Sequence, residues 1–344
     1  MKNTDEQLRR FHGERVRMNS AGRKDIRSKA DTNRKRLRDG LARDKEPAPV
    51  GSHTQGSYSM RTMIHDDGGD YDIDDGVYFT KASLVGSGGA DKTALAARQM
   101  VCKALQDDRF SEQPEVRNNC VRIYYGAPKH YHIDVPVYRR TRIQDPIDGS
   151  TVDTYELASA DWKKSDALAV TKWFKAQNLA KCSDASKDAD KGQFVRIVRL
   201  MKAFARSRSH WSGKIAGGFA ISRLVADEFV ENVGRDDIAF RNVLRAIRDR
   251  LGWNSRVEHP VLDYDILPPD SAKARYLRTK LADKLPLLDV LDDPNCSHED
   301  AMQAWDEFFY TDWFVNQPDP EDEKELEQET AGPAIKRGGG NGFA

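Results

Sequence analysis

The sequence predicts an α+β chain built as two packed lobes. Three observations carry that prediction. Residues 4–45 form a long polar stretch with helical spacing, residues from about 50 to 160 mix alternating strand patterns with one helix, and the remainder is helical in its apolar spacing. No internal repeat interrupts this order. With 344 residues the chain can bury a sizeable core.

Charged residues make up 32% against a usual figure of about 25%, and hydrophobic residues 38% against about 45–50%. The formal net charge is zero but unevenly spread. Residues 1–46 hold 15 Lys/Arg and 8 Asp/Glu, a net +7, whereas 319–330 hold 7 acids and one lysine, a net −6. A local basic excess of this kind suits a polyanion. Cys102, Cys120, Cys182 and Cys296 are far apart and form no CxxC pair, which disfavours a zinc site or a disulfide framework. The N-terminus lacks the apolar core of a signal peptide, and no run approaches about 18 apolar residues. The expectation is a cytoplasmic protein with no membrane contact.

Residues 1–46 read as a spine helix whose thin stripe of Leu8, Phe11, Val16, Ile26, Leu37 and Leu41 lies along a domain surface. Pro47 and Pro49 end it. In Gly56 to Phe79, a Gly-Ser pair leads to a strand carrying Asp72-Ile73-Asp74. The segment SGGADKT, Ser87 to Thr93, imitates a phosphate-binding loop. Asp91 stands before Lys92 where that loop needs glycine, so it reads as the entry to a helix at about 93–106. Strands follow at Val121–Tyr125 and His130–Tyr138, with Pro136 marking an edge or a strand end, and a short one near Tyr155 and Leu157. Helices are expected over Asp161–Ala180, Phe194–Arg208, Phe219–Val233, Ile238–Leu251, Ala272–Leu291 and Glu299–Phe314. In the second of these, Arg196, Arg199, Lys202 and Arg206 occupy the face opposite the apolar one. Residues 316–344 are acidic and then glycine-rich, a composition expected to remain flexible.

Side chains alternate across a strand, so Asp72 and Asp74 point the same way and can share a cation. Asp134 lies on the polar face of its own strand and supplies a third carboxylate. Three carboxylates on adjacent strands can hold two Mg²⁺ ions roughly 3.5–4 Å apart, as a ribose hydroxyl attacking an α-phosphate requires. The Gly56-Ser57 turn offers backbone N–H groups and a hydroxyl to phosphate oxygens. An EF-hand is excluded, because DYDIDDG lacks flanking helices and the glutamate at position twelve. His130 and His132 share a face with Asp134 and read as a polar sheet face in preference to a zinc site.

Taken together, Gln55-Gly56-Ser57, Arg61-Thr62-Met63, Asp72-Ile73-Asp74-Asp75-Gly76, the HIDVPVY around Asp134 and the RLMKAF around Lys202 resemble the cGAS/DncV-like nucleotidyltransferases. These are bacterial enzymes that make cyclic oligonucleotide signals in anti-phage defence. The likeness spans about 50–310. It implies a polymerase-β-like nucleotidyltransferase lobe with a mixed sheet at 47–160. A helical lobe of the poly(A) polymerase and oligoadenylate synthase type follows at 161–315, with a spine helix over 1–46 and a tail over 316–344.

The resemblance implies that Asp72, Asp74 and Asp134 are the metal ligands and catalytic carboxylates. Gln55, Gly56 and Ser57 lie at the nucleotide, and Lys202 meets the triphosphate. Mg²⁺ is the implied cofactor, with Mn²⁺ an alternative, and ATP and other nucleoside triphosphates are the implied substrates. Two departures stand out. Fourteen residues separate Ser57 from Asp72, which enlarges the loop at 64–70, and Gly217 replaces a phosphate-contacting serine, with Ser212 or Ser222 as substitutes. The product would be a cyclic di- or trinucleotide acting on a downstream effector. The flexible end at Ala344 would suit a ubiquitin-transfer-like enzyme. Two other readings stay open: a linear-oligonucleotide or RNA-tailing enzyme, and a non-catalytic nucleotide or nucleic-acid sensor.

Overall fold

The structure, a computed structural model, describes residues 1–65, 72–86, 88–125, 131–144 and 146–318. Residues 66–71 of the enlarged loop, His130 and residues 319–344 of the tail, with Ala344, lie outside the described residues. Helix α1 spans Asp5–Phe11 and α2 spans Ser20–Arg43. Strand β1 (Gly51–Thr54), the one-turn helix α3 (Gly56–Ser59), β2 (Asp72–Thr80) and α4 (Ala94–Leu105) follow. The sheet continues through β3 (Glu115–Val116), β4 (Val121–Tyr125), β5 (Tyr131–Val135), β6 (Val137–Gln144), β7 (Thr151–Ala158) and β8 (Trp162–Lys164). Next come α5 (Ala167–Lys181), α6 (Gln193–Arg206), α7 (Gly218–Glu228) and α8 (Asp236–Trp253). A small hairpin, β9 (Val257–Glu258) and β10 (Asp265–Leu267), leads to α9 (Ala272–Lys284) and α10 (His298–Phe309).

The expected spine is two helices, not one. A π-helical turn over His12–Val16 ends the first, Arg17 is extended, and Arg17 bridges to Ile64. Asn19 then restarts the helix by accepting a hydrogen bond from the Gly22 amide at 2.7 Å. The expected helix over Asp161–Ala180 begins later. Trp162–Lys164 pair with β7 instead, and Asp166 caps α5 by accepting from the Ala169 amide at 2.8 Å.

The eight-stranded mixed sheet is organised on β2. β1 runs antiparallel to it, with Thr54 opposite Asp75. β5 and β6 both run parallel to it in one continuous register, Asp74 opposite Asp134 and Val77 opposite Val137. Pro136 divides them. It does not mark a sheet edge: lacking an N–H, it sits where the line changes its outer neighbour from β4 to β7, and its carbonyl accepts from the Val77 amide at 2.9 Å.

Two cores result. Ile73, Phe79, Val101, Ile133 and Val137 pack with Ile26, Leu37 and Leu41 of α2 in the first. Phe194, Val198, Phe204, Phe240, Trp305 and Phe308 pack with Leu8 and Phe11 of α1 in the second. The spine therefore belongs to both lobes. Arg34 of α2 holds the buried carboxylate of Asp75 with contacts of 2.9 and 2.5 Å, fixing α2 across the sheet. Close packing of α2 on α4 also depends on Gly40, where a Cβ would fall on the Ala104 carbonyl. Alanine there gains about 1 kcal/mol of helix propensity but overpacks the contact by up to about 3 kcal/mol. Gly40→Ala is expected to destabilise the protein by about 2 kcal/mol, read as a lower urea midpoint at unchanged slope. An unchanged midpoint would mean that the helices have room to part.

Candidate active site

The floor of the site is set by a turn. After β1, the Gln55 amide donates to the Asp74 carbonyl at 2.8 Å, and the chain turns through Gly56 at φ +56°. A Cβ at Gly56 would stand 2.6 Å from Asp74 Oδ2, so glycine is required both for the backbone and for the carboxylate. The Ser57 carbonyl accepts from the Thr62 amide at 2.8 Å, which curls the following segment back over the turn. Gln55 is buried beneath it. Its Nε2 donates to Tyr78 Oη at 2.5 Å and its Oε1 accepts from Tyr138 Oη at 3.1 Å, with the two tyrosine rings stacked. Its amide thus props the turn more than it reaches into the cleft.

Above this floor stand the carboxylates. Asp74 and Asp134 are direct partners across the parallel β2–β5 pair, and Asp72 pairs with His132. Only the backbone of Asp72 is described. Arg122 of β4, opposite Asp134 in the antiparallel register, grips both of its carboxylate oxygens at 2.8 Å. Burial and the adjacent Asp134 push the Cys120 thiol up, so it stays neutral.

The helical lobe supplies the facing wall. Lys202 of α6 is buried, with Nζ 2.7 Å from Thr62 Oγ1 and 3.2 Å from the Thr62 carbonyl. Its stem passes Gly218, where a Cβ would meet Lys202 Cε at 3.2 Å. Helix α7 begins at Gly218 with no side-chain cap, so its first N–H groups open toward the cleft. Of the two serines expected to compensate for Gly217, Ser222 is consumed, its hydroxyl donating to the Gly218 carbonyl at 2.8 Å, while Ser212 lines the cleft. His259 and Tyr264, flanking the β9–β10 hairpin, form an aromatic rim with Phe219.

Between floor and wall lies a cavity of about 1100 Å³, which also contains Gln55, Gly56, Ser57, Asp74, Asp134 and Lys202. That exceeds the roughly 300–1,000 Å³ of a pocket for one small ligand. Sequence reasoning missed Arg122, the open start of α7 and the aromatic hairpin, and it singled out Thr62 within a motif without its contact to Lys202. Arg122 alone had a signal, as a polar position in VRIYY one strand from Asp134.

Other candidates lie elsewhere. Cys182, Asp184 and Glu231 approach one another, but Cys182 Sγ accepts from the Phe194 amide, Asp184 pairs with Arg196, and Glu231 accepts from Ser183. Lys92 of the imitation phosphate loop pairs with Glu46 at 3.1 Å, and Thr93 caps α4.

Burial, reinforced by Arg206 and Arg199, holds Lys202 down to about 7. Unfolded, a lysine titrates near 10.4. Between these values the unfolded chain binds the extra proton, so stability rises with pH across the window, and the cost of burying the ammonium is greatest below pH 7. Lys202→Met is therefore expected to gain stability over the parent protein most at pH 6, with the gain fading toward pH 10. Urea denaturation across that range tests it, and a pH-independent difference would refute it.

Residues 51–138 match the family described as cyclic GMP-AMP synthase DncV-like, nucleotidyltransferase domain. The fold matches solved structures of that kind over nearly its whole length. A variant of the Vibrio cholerae di-nucleotide cyclase DncV, in complex with ATP and GTP, aligns at a TM-score of 0.69 and 15% identity over 92% of this chain and 98% of its own. Vibrio cholerae DncV described as a cyclic AMP-GMP synthase and prokaryotic cGAS homolog aligns at 0.67 and 16%, over 92% and 98%. Escherichia coli DncV bound to 3′-deoxy GTP aligns at 0.63 and 17%, over 88% and 94%. The turn at Gly56 and the opposed carboxylates thus lie within the segment that matches a DncV-like nucleotidyltransferase domain, and the fold around them is that of the DncV structures.

Proposed function

We propose that this protein is a template-independent nucleotidyltransferase that joins ribonucleoside triphosphates into a cyclic di- or trinucleotide. The observation that carries the reading is the in-register pair Asp74 and Asp134, beside the Gly56 turn and across a roomy cleft from Lys202. The family match over 51–138 and the fold supply the reaction class. A signalling role in anti-phage defence, a cytoplasmic location and conjugation through Ala344 extend this reading from resemblance.

In each step a ribose hydroxyl attacks an α-phosphorus. One O–P bond forms, the bond to the β-phosphate oxygen breaks, and pyrophosphate leaves. Carboxylate oxygens at Asp74 and Asp134, with Asp72 two residues along the same strand, form the donor set that a hard cation takes. Two bound Mg²⁺ ions, or Mn²⁺, would activate the hydroxyl and neutralise the leaving group. Arg122 fixes the orientation of Asp134 through both oxygens. Gly56 and Ser57 offer the turn to the phosphates, and Lys202, Arg206 and the start of α7 oppose them with positive charge. The cleft has volume for donor and acceptor together, and the Phe219–His259–Tyr264 rim offers faces for a base.

Asp72→Ala with Asp74→Ala is expected to abolish conversion of radiolabelled nucleoside triphosphates to phosphatase-resistant product in a protein that still folds. Mass spectrometry of the parent reaction identifies the ring. Phosphatase-sensitive ladders would replace this reading with linear synthesis. Lys202 adds a second test. Near pH 7 about half of these side chains are neutral, and a docked triphosphate favours the ammonium, so binding takes up about half a proton. Titration calorimetry in buffers of different ionisation enthalpy measures that uptake. Its persistence in Lys202→Met would remove the lysine from the triphosphate.

A further inference from the structure

Arginines in this fold are commonly matched to acids: Arg34, Arg122, Arg139, Arg196 and Arg241 each hold a carboxylate. A different arrangement occurs where the spine crosses the segment after α3. Arg17, Arg23, Arg61 and Arg199 converge on one notch, lined also by Met18, Met63 and Asp190. None of the four makes an ion pair among the described residues. Arg23 lies over the Tyr58 ring at 4.3 Å and donates to the Tyr58 carbonyl at 3.3 Å. Arg199 donates to the Arg61 carbonyl at 2.6 Å and stands 3.3 Å from His12 Nε2. Asp190 is the single acid on the wall, and its carboxylate already accepts from the Ser186 hydroxyl.

Four like charges with so little compensation repel one another. Burial first, then Arg17, Arg23, Arg196 and Arg61, hold the Arg199 guanidinium down to about 9. His12 is held well below the imidazole range by burial and by Arg199, and stays neutral. Planar N–H forks on three separate elements are the geometry that binds phosphate-type oxygens from several sides. The notch measures about 20 Å³, room for about one water-sized group, so it takes one or two oxygens of an anion seated at its mouth and excludes a nucleobase.

We infer that this notch is a second anion site, separate from the catalytic cleft, for a phosphate-type dianion: free inorganic phosphate or the phosphate of a monoester. Its ligand would neutralise the cluster and tie the spine to α6. Met63 lines both the notch and the cleft, and the Arg61 carbonyl held by Arg199 precedes the Thr62 that holds Lys202. The inference does not depend on the reaction proposed above.

The test is thermal unfolding of the full chain without magnesium, at constant ionic strength, with inorganic phosphate in one arm and ribose 5-phosphate in the other. Saturable stabilisation of about 3 °C or more is expected. A response to phosphate alone assigns the free ion, and a response to both admits an ester. Arg17→Gln with Arg23→Gln, at two positions that are not buried, should melt higher than the parent without ligand and lose the response. Lys202→Met should keep it. An equal response in the double arginine variant would place the anion in the cleft, and no saturable response in the parent would remove the site; either result overturns the inference.

Discussion

The architecture turns on positive charge buried along one face of α6. Arg196, Arg199 and Lys202 recur at three-residue steps, and none is spent on solvent. Arg196 pairs with Asp236 at 2.5 and 2.9 Å and with Asp184 at 2.8 Å, joining α6 to the start of α8 and the loop before α6. Arg199 takes the Arg61 carbonyl, and Lys202 takes Thr62. Removing one partner of such a contact strands a desolvated charge, a loss of roughly 3–5 kcal/mol for a buried pair. The face that docks the helical lobe on the sheet lobe is therefore also the face that sets the Arg61–Thr62 segment, and through it the turn at Gly56.

That coupling explains how the cleft holds opposite charges on opposite walls. Carboxylates collect on the floor because the parallel register of β2 and β5 forces Asp74 and Asp134 together. Arg122 offsets part of their repulsion from the next strand. The opposite wall carries Lys202 and the open start of α7. A lysine desolvated to titrate near neutrality gives its charge up readily in the empty cleft and recovers it beside an anion. An arginine would have to remain charged there.

Much of the sheet and the carboxylate positions were legible in the sequence, because strand alternation is local information. Asp72-Ile73-Asp74 and Ile133-Asp134-Val135 show their faces without tertiary context, and Ile73 and Ile133 are indeed fully buried. The sequence placed the cations of α6 opposite its apolar face but not their partners, because a three- and four-residue spacing of cations looks the same whether acids, carbonyls or water receive them. Arg122 and the β9–β10 hairpin escaped for a related reason: their meaning comes from cross-strand neighbours far away in sequence. The break in the spine was hidden because sparse apolar points continue across it in Phe11, Val16 and Met18, and Asn19, placed to cap the amide of Gly22, marks it.

The segment from Tyr58 to Ile64 shows why the lobes cannot be considered separately. Tyr58 and Met63 enter the core of the sheet lobe, while Met60 and Ile64 enter the helical core. Arg61, between them, adopts φ +60°, a left-handed backbone that costs a non-glycine residue on the order of 1 kcal/mol. The strain is sustained because that geometry sends successive side chains to alternate lobes and points the Arg61 carbonyl at Arg199. Glycine would relax the backbone but also free the segment when α6 is not engaged. The turn at Gly56, a few residues upstream, is therefore positioned by contacts made to both lobes at once.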